Sequence, residues 1–186
     1  MEIIVGKIAH QLRISQTDLL TRPVGRKLYA KAASMIAHAR PEEVVVLDFT
    51  GYSVIDPSCV DEFLIALVRD SMKPEKPFFL RLSHITPTMD MTIQGVFDTY
   101  SEFSGMKIGV ITEELVSRRG YYIGKVTDDE KELLSYLRIS DTSSPEEIAR
   151  RLERDVDRIY VALEALYARR MVRKEHGTRR KGYTKV

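Results

Sequence analysis

Basic side chains are concentrated near the C-terminal end of the chain. From Arg169 onward, eight arginine or lysine residues stand against a single acid, Glu175. Five of these basic residues lie on or beside a segment with the composition of a loop: Arg173, Lys174, Arg179, Arg180 and Lys181. Long cationic side chains on a loop can neutralise phosphates and straddle a groove of double-stranded DNA. The cluster favours a contact with nucleic acid, and a solvated surface loop without a partner is the alternative.

A predicted helix before this loop carries the candidates for contacts with bases. Its buried stripe consists of apolar residues at helical spacing: Val156, Ile159, Leu163 and Leu166. The remaining candidates for DNA contacts lie at its start or away from that stripe: Arg154, Arg158, Tyr160 and Val161. If the helix enters the major groove, Arg158 near its N-terminal end can donate two hydrogen bonds to O6 and N7 of guanine. Asp157 and Glu164 would repel phosphates, so a solvated charged face is the alternative.

Residues that could support catalysis or bind a metal are few and scattered. The four histidines show no helical pair at metal-ligand spacing, and the sequence has neither a glycine-rich phosphate loop nor a nucleophile motif. The single cysteine, Cys59, leaves no internal disulfide and no cysteine pair for zinc. Asp48 lies at the end of the predicted central strand, where it could act as a catalytic acid. We expect a protein that is not an enzyme and needs no metal or cofactor.

Length and composition are those of a folded chain with one or two domains. The 186 residues are 44% hydrophobic and carry a formal net charge of +2. Residues 1–120 hold 14 basic and 15 acidic side chains, and residues 121–186 hold 15 and 12. No apolar run approaches the ~20 residues that span a bilayer, and the first residues lack the basic region of a secretory signal. We expect a cytoplasmic protein.

The first part of the chain is organised around residues 43–68. An apolar run at residues 44–47, followed by Phe49, predicts a central strand covered on both faces. Asp56 and Pro57 then provide the cap and the first helical position of a helix whose apolar stripe ends at Val68. The Ser58 hydroxyl is a possible phosphorylation or partner site beside Asp56. A phosphate there would gain from the helix N-terminus but would be repelled by Asp56 and Asp61, so a role in the helix start is the simpler interpretation.

Strands and helices alternate on both sides of this unit. Strands are predicted at residues 2–8, 78–82 and 107–111, in addition to the central one. Helices are predicted at residues 25–39 and from the cap at Thr86 to Gly105, whereas the polar stretch up to Pro23 fits either a short helix or a loop. This alternation predicts an α/β domain with a mainly parallel or mixed sheet over residues 1–115. Residues 116–124 are the predicted linker.

The last third of the sequence, residues 125–186, predicts three helices and two strands. Thr127 and Glu130 have the spacing of a capping box, and Ser144 with Pro145 marks a second helix start. Asp155 caps the third helix. Two short helices followed by a longer one are typical of helix-turn-helix spacing. Residues 171–175 and 182–186 form two predicted strands joined by the basic loop.

The first part resembles a known family. Leu47-Asp48-Phe49, Gly51, Ile55, Ser58 and Asp61-Glu62-Phe63 follow the pattern of the STAS-like domain, a relative of the sulfate-transporter and anti-sigma-factor-antagonist fold. The resemblance implies a module that senses a ligand or binds a partner, and Arg26 matches the basic residue that these proteins place at a helix start. In anti-sigma-factor antagonists the phosphorylated serine follows an aspartate directly, whereas here Pro57 stands between Asp56 and Ser58.

The second part resembles the winged helix family of DNA-binding domains. The resemblance rests on Pro145-Glu-Glu-Ile-Ala149, on the apolar spacing of the third helix and on the two terminal strands, with Met171 where the family usually has glycine. It implies a transcriptional regulator that binds double-stranded DNA, and symmetric half-sites would imply a homodimer. The alternative is a partner-switching signalling adaptor whose winged helix contacts protein.

Overall fold

The computed structural model of the chain describes residues 1–14, 19–113, 121–140, 142–176 and 181–186. These residues form two compact units, Met1–Lys125 and Val126–Val186. Each unit is built around its own elements. Within the described ranges, no helix is both long enough and apolar enough to cross a membrane.

The first unit contains a mixed five-stranded sheet, as predicted for an α/β domain. Its strands lie in chain order: β1 (Glu2–Ile4), β2 (Val44–Asp48), β3 (Phe79–Ser83), β4 (Gly109–Thr112) and β5 (Tyr122–Gly124). Neighbouring strands from β1 to β4 are parallel, and β5 is antiparallel to β4. The parallel arrangement brings the carboxyl ends of β2, β3 and β4 to one edge of the sheet.

Helices connect the parallel strands. They are α1 (Val5–Gln11), α2 (Arg22–Ile36), α3 (Pro57–Val60), a π-helical turn (Asp61–Ile65), α4 (Ala66–Ser71) and α5 (Pro87–Ser104). The predicted caps are confirmed: the side chains of Asp56 and Thr86 accept backbone N–H groups at the starts of α3 and α5. Gly105 ends α5 at φ 69°, a left-handed conformation that favours glycine.

Two predictions for the first unit are wrong. The strand predicted at residues 2–8 ends at Ile4, and Val5, Ile8 and Ala9 lie on the buried side of α1, because their spacing is helical. The predicted linker, residues 116–124, contains β5, since residues 122–124 pair with β4. Gly124 makes this pairing possible: its φ is 115°, and an added Cβ would overlap the carbonyl oxygen of Ile108. Residues 116–120 lie outside the described residues.

The second unit contains three helices and a β-hairpin. Its elements are α6 (Asp128–Ile139), α7 (Pro145–Leu152), α8 (Val156–Ala168), β6 (Val172–His176) and β7 (Lys181–Lys185). Strands β6 and β7 are antiparallel, and Ser143 adds a single antiparallel bridge to Tyr183. The capping box at Thr127 and the caps at Ser144 and Asp155 are confirmed by their side-chain hydrogen bonds.

The core of the second unit is apolar and contains a buried ion pair. Leucines and isoleucines from all three helices pack with Met171, Val172 and Tyr183 of the hairpin region. Inside this core, Arg169 donates a hydrogen bond of 2.5 Å to Glu130, and both side chains are buried. Arg169 therefore belongs to the interior and not to the basic surface that its place in the sequence suggests.

Candidate nucleic-acid interface

The exposed face of α8 is apolar and aromatic at its centre. The cap at Asp155 starts the helix, and Ile159, Leu163 and Leu166 bury the opposite face. Tyr160 and Val161 are 52% and 67% exposed. Asp157 and Glu164 lie three or four residues from them and share their side of the helix. This face can offer van der Waals contacts, but it is flanked by carboxylates.

The two arginines predicted at the start of α8 are paired with acids of α6. Arg158 donates to Asp129 at 2.8 Å, and Arg154 donates to Glu132 at 3.3 Å. Both pairs are exposed to solvent, and exposed pairs contribute only ~0–1 kcal/mol. Breaking the pair of Arg158 with Asp129 therefore costs little free energy. In this structure, however, the Arg158 guanidinium is hydrogen-bonded to Asp129 and is not directed at a partner of α8.

Lys174 joins the hairpin to α8. Its ammonium donates to Glu164 at 2.8 Å and lies 4.2 Å from the centre of the Tyr167 ring. The Tyr183 hydroxyl donates to the other oxygen of Glu164. Burial alone would raise the pKa of Glu164, but the bonds from Lys174 and Tyr183 outweigh it and hold that pKa below its usual value. Lys174 therefore holds the hairpin against α8, and it would have to leave Glu164 before it could contact a phosphate.

A groove of about 830 Å³ lies between the N-terminus of α7, α8 and the hairpin. Among the described charged residues that line it, acids outnumber bases: Glu146, Glu147, Glu164 and Glu175 against Arg150 and Lys174. Tyr160 and Tyr183 supply its aromatic surface. Sequence reasoning missed this groove, because its residues come from four separate elements. The sequence does show that Tyr160 and Glu164 are four residues apart, which places both on one face of the third helix and could have indicated one wall of the groove.

Two of the predicted basic residues, Arg173 and Lys174, lie on β6. Arg173 lies opposite Thr184 and Lys174 opposite Tyr183 in the register of β6 and β7, so successive side chains alternate between the two faces of the hairpin. The backbone of Lys181 begins β7. Arg179 and Arg180 fall outside the described residues. The sequence places both of them in the connection between the two strands.

The second candidate site, at Asp56 and Ser58, is a helix start. Asp56 accepts hydrogen bonds from the backbone N–H groups of Ser58 at 2.8 Å and Cys59 at 3.3 Å, and also from the Ser58 hydroxyl. The bond from that hydroxyl is the largest cause of the lowered pKa of Asp56. Ser58 is half-buried. A group attached to its oxygen would remove the hydroxyl proton that Asp56 accepts.

Basic residues near this helix start are also paired. Arg22 donates to Asp61 at 2.9 Å and to Glu62 at 2.7 Å, and Arg26 donates to Glu62 at 3.1 Å. These bonds link α2 to the π-helical turn, and those from Arg26 and Arg22 lower the pKa of Glu62 to about 2. Arg26, which the resemblance singled out, therefore has a structural contact.

One polar cluster was not predicted from the sequence. At the carboxyl ends of β2 and β3, the Asp48 carboxylate accepts bonds from the Thr50 amide and hydroxyl, both at 2.7 Å, and His84 Nδ1 lies 3.0 Å from it. His84 has φ 55° and its amide donates to Glu113 at 3.2 Å. Across the described part of the chain, no group of three or more potential ligands could hold a metal ion. The cluster brings an acid and a histidine together at the carboxyl ends of two neighbouring strands.

Comparison of the chain with models of protein families, with curated proteins and with solved structures found no match.

Proposed function

We propose that this protein is a DNA-binding transcriptional regulator, in which the second unit is a winged helix-turn-helix module and the first is a STAS-like module that binds a partner or ligand. The observation that carries the proposal is the antiparallel hairpin after α8, whose first strand contains Arg173 and Lys174. In the sequence, Arg179 and Arg180 directly precede its second strand. The element order of the second unit supports it. Three helices followed by two antiparallel strands, with Ser143 as a third pairing position, match the order expected of a winged helix.

The contacts are divided between the hairpin and α8. Basic side chains of the hairpin neutralise phosphates, because cations contribute most of the sequence-independent affinity. The exposed Tyr160 and Val161 can contact base edges, including the thymine methyl group, and Arg158 joins them when it leaves Asp129. The acids of the groove keep phosphates at a distance from the middle of α8. The hairpin therefore contributes more to affinity than α8 does.

The test is the salt dependence of DNA binding by the full-length chain. Fluorescence anisotropy with labelled genomic duplexes, selected from a bound library, is measured between about 50 and 200 mM salt. In Arg179→Ala/Arg180→Ala/Lys181→Ala, each lost phosphate contact should flatten the log–log slope by about 0.9.

The matched control removes the same charge from exposed lysines of the first unit: Lys7→Ala/Lys27→Ala/Lys107→Ala. This variant should keep the wild-type slope. If both triple variants show equal slopes, the hairpin is not part of the interface and the proposal fails.

A second candidate is a signalling adaptor whose winged helix binds a protein. The groove favours it, since acids outnumber bases there and Tyr160 and Val161 form an exposed apolar centre with a polar rim, an arrangement typical of protein interfaces. A photoreactive amino acid at position 160 distinguishes the two candidates. It should attach to labelled duplex if the chain is a DNA-binding regulator, and to a protein in cell extract if it is an adaptor.

A further inference from the structure

We propose that the chain forms a two-fold homodimer in which α5 of one protomer packs against α5 of its partner in the opposite direction. The contact surface is the α5 ridge, defined as Met91, Gly95, Thr99 and Phe103, which recur every four residues along one side of the helix. The ridge lies in the first unit. The proposal does not depend on DNA binding by the second.

The α5 ridge exposes large apolar side chains at both of its ends. Met89, Ile93 and Phe97 bury the other side of α5 in the core of the first unit. Met91 and Phe103, by contrast, are 72% and 89% exposed. A single exposed apolar residue is ordinary, whereas an uncharged ridge with an exposed apolar side chain at each end offers a partner a surface to cover.

Gly95 in the middle of the ridge is not explained by the fold of the protomer. A glycine in a helix interior costs about 1 kcal/mol relative to alanine. An added Cβ would meet no described atom within 4 Å, and the backbone of Gly95 has no positive φ. Neither packing nor conformation within the described protomer therefore requires glycine here. A second helix that approaches closely at this point would require it, because glycine lets a neighbouring backbone come near.

The pattern of the ridge is complementary to itself. A two-fold axis at the level of residue 97 places Met91 opposite the partner's Phe103, and Gly95 opposite the partner's Thr99. The small residues then let the helices approach at the centre, while a methionine sulfur meets an aromatic ring at each end, which is a favourable contact. Because one pattern supplies both halves of the contact, a second copy of the chain is the occupant that fits it.

The area available sets the strength of this dimer. The ridge forms one wall of a groove of about 820 Å³, together with Thr92, Val96 and Tyr100 of α5, and the opposite wall consists of Arg22, Pro57, Ser58 and Asp61. Burying an aromatic side chain covers about 150–250 Å². A contact confined to one helix face lies at the low end of specific interfaces, which begin at about 1,200 Å² in total. The expected dimer is weak and dissociates on dilution.

Sedimentation velocity of the full-length chain over a concentration series tests association. The wild type should pass from monomer to dimer in the micromolar range. Phe103→Asp places a charge in the contact between the two helices. Gly95→Gln has open space in the protomer, but its side chain blocks the close approach of the partner's α5. Each variant should weaken association at least tenfold. The control Ile139→Asp removes an equally exposed apolar residue, 85% exposed, from the second unit and should leave association unchanged.

Cysteine cross-linking tests the direction of the helices. In the antiparallel dimer, Met91→Cys/Phe103→Cys should form a covalent dimer under mild oxidation. Met91→Cys alone should not, since the two copies of residue 91 would lie about 18 Å apart along the helices at 1.5 Å per residue. A wild type that stays monomeric at all concentrations overturns the proposal, as does a Phe103→Asp variant that associates normally. Efficient cross-linking of Met91→Cys alone overturns the antiparallel pairing.

Discussion

Replacing Arg169 with methionine should destabilise the second unit severely. The guanidinium of Arg169 donates to Glu130 at 2.5 Å and, through Nε, to the carbonyl oxygen of Ala165 at 3.1 Å. The other carboxylate oxygen of Glu130 accepts the Thr127 amide at 2.8 Å and so completes the capping box of α6. Methionine would leave the Glu130 carboxylate buried without its cation. The beginning of α6 and the end of α8 depend on this one carboxylate.

The expected cost follows from burial. Removing one partner of a buried ion pair costs about 3–5 kcal/mol, because it leaves an uncompensated charge. A unit of about 60 residues has only about 3–9 kcal/mol of stability in total. The exposed pair of Arg158 with Asp129 joins the same two helices, yet it should contribute only about 0.2–1 kcal/mol. Arg169→Met and Arg158→Met therefore form a matched comparison.

Hydrogen exchange measured by mass spectrometry on the full-length chain reports the two units separately. Arg169→Met should increase exchange in α6 and α8 on the order of 10²–10⁴-fold, whereas Arg158→Met should change it by less than about fivefold. Adding Glu130→Gln to Arg169→Met should restore much of the protection, because the amide oxygen still caps α6 and no charge is buried. Equal, small effects of the two arginine substitutions would refute the reasoning about the buried pair.

Two further predictions concern the first unit. Gly25→Ala should lower the melting temperature, because the new Cβ would lie 2.9 Å from the carbonyl oxygen of Cys59 and overpacking costs about 1–3 kcal/mol. Gly95→Ala should raise the melting temperature, because its Cβ meets no described atom within 4 Å and alanine favours a helix over glycine. A decrease for both variants would contradict this reasoning. Glu62 has a pKa of about 2, below its ordinary 4.5, so its contribution to stability is present above pH 4.5 and is lost as the pH falls towards 2. Urea unfolding against pH should show a smaller acid loss for Glu62→Gln than for the wild type, and identical profiles would exclude this contribution.

Local signals predicted the boundaries of many helices correctly. Asp56, Thr86, Ser144 and Asp155 each accept backbone N–H groups at the helix start that the sequence indicates. These predictions succeed because a cap satisfies donors within three residues of itself. The strand prediction at residues 2–8 was wrong because an apolar run can be buried as a strand or as a helix, and only the partner β2 decides where pairing ends.

Side chains that bring distant segments together were harder to predict. Arg154 and Arg158 are candidates for DNA contacts in the sequence, and only the position of α6 shows that they pair with Glu132 and Asp129. Strand β5 depends on Gly124, whose required φ of 115° arises from its contact with β4. Such contacts join residues tens of positions apart, and periodicity carries no information about them.

The sequence by itself determined the alternation of strands and helices, the helix caps and the concentration of positive charge in the last eighteen residues, because each of these depends on neighbours along the chain. Tertiary structure decided which charges remain available to a partner. It buries Arg169 with Glu130 and ties Lys174 to Glu164, while it leaves Phe103 on the surface. The reason is that the free energy of a charge or an apolar side chain is set by burial and by the groups around it, and folding alone brings those groups together.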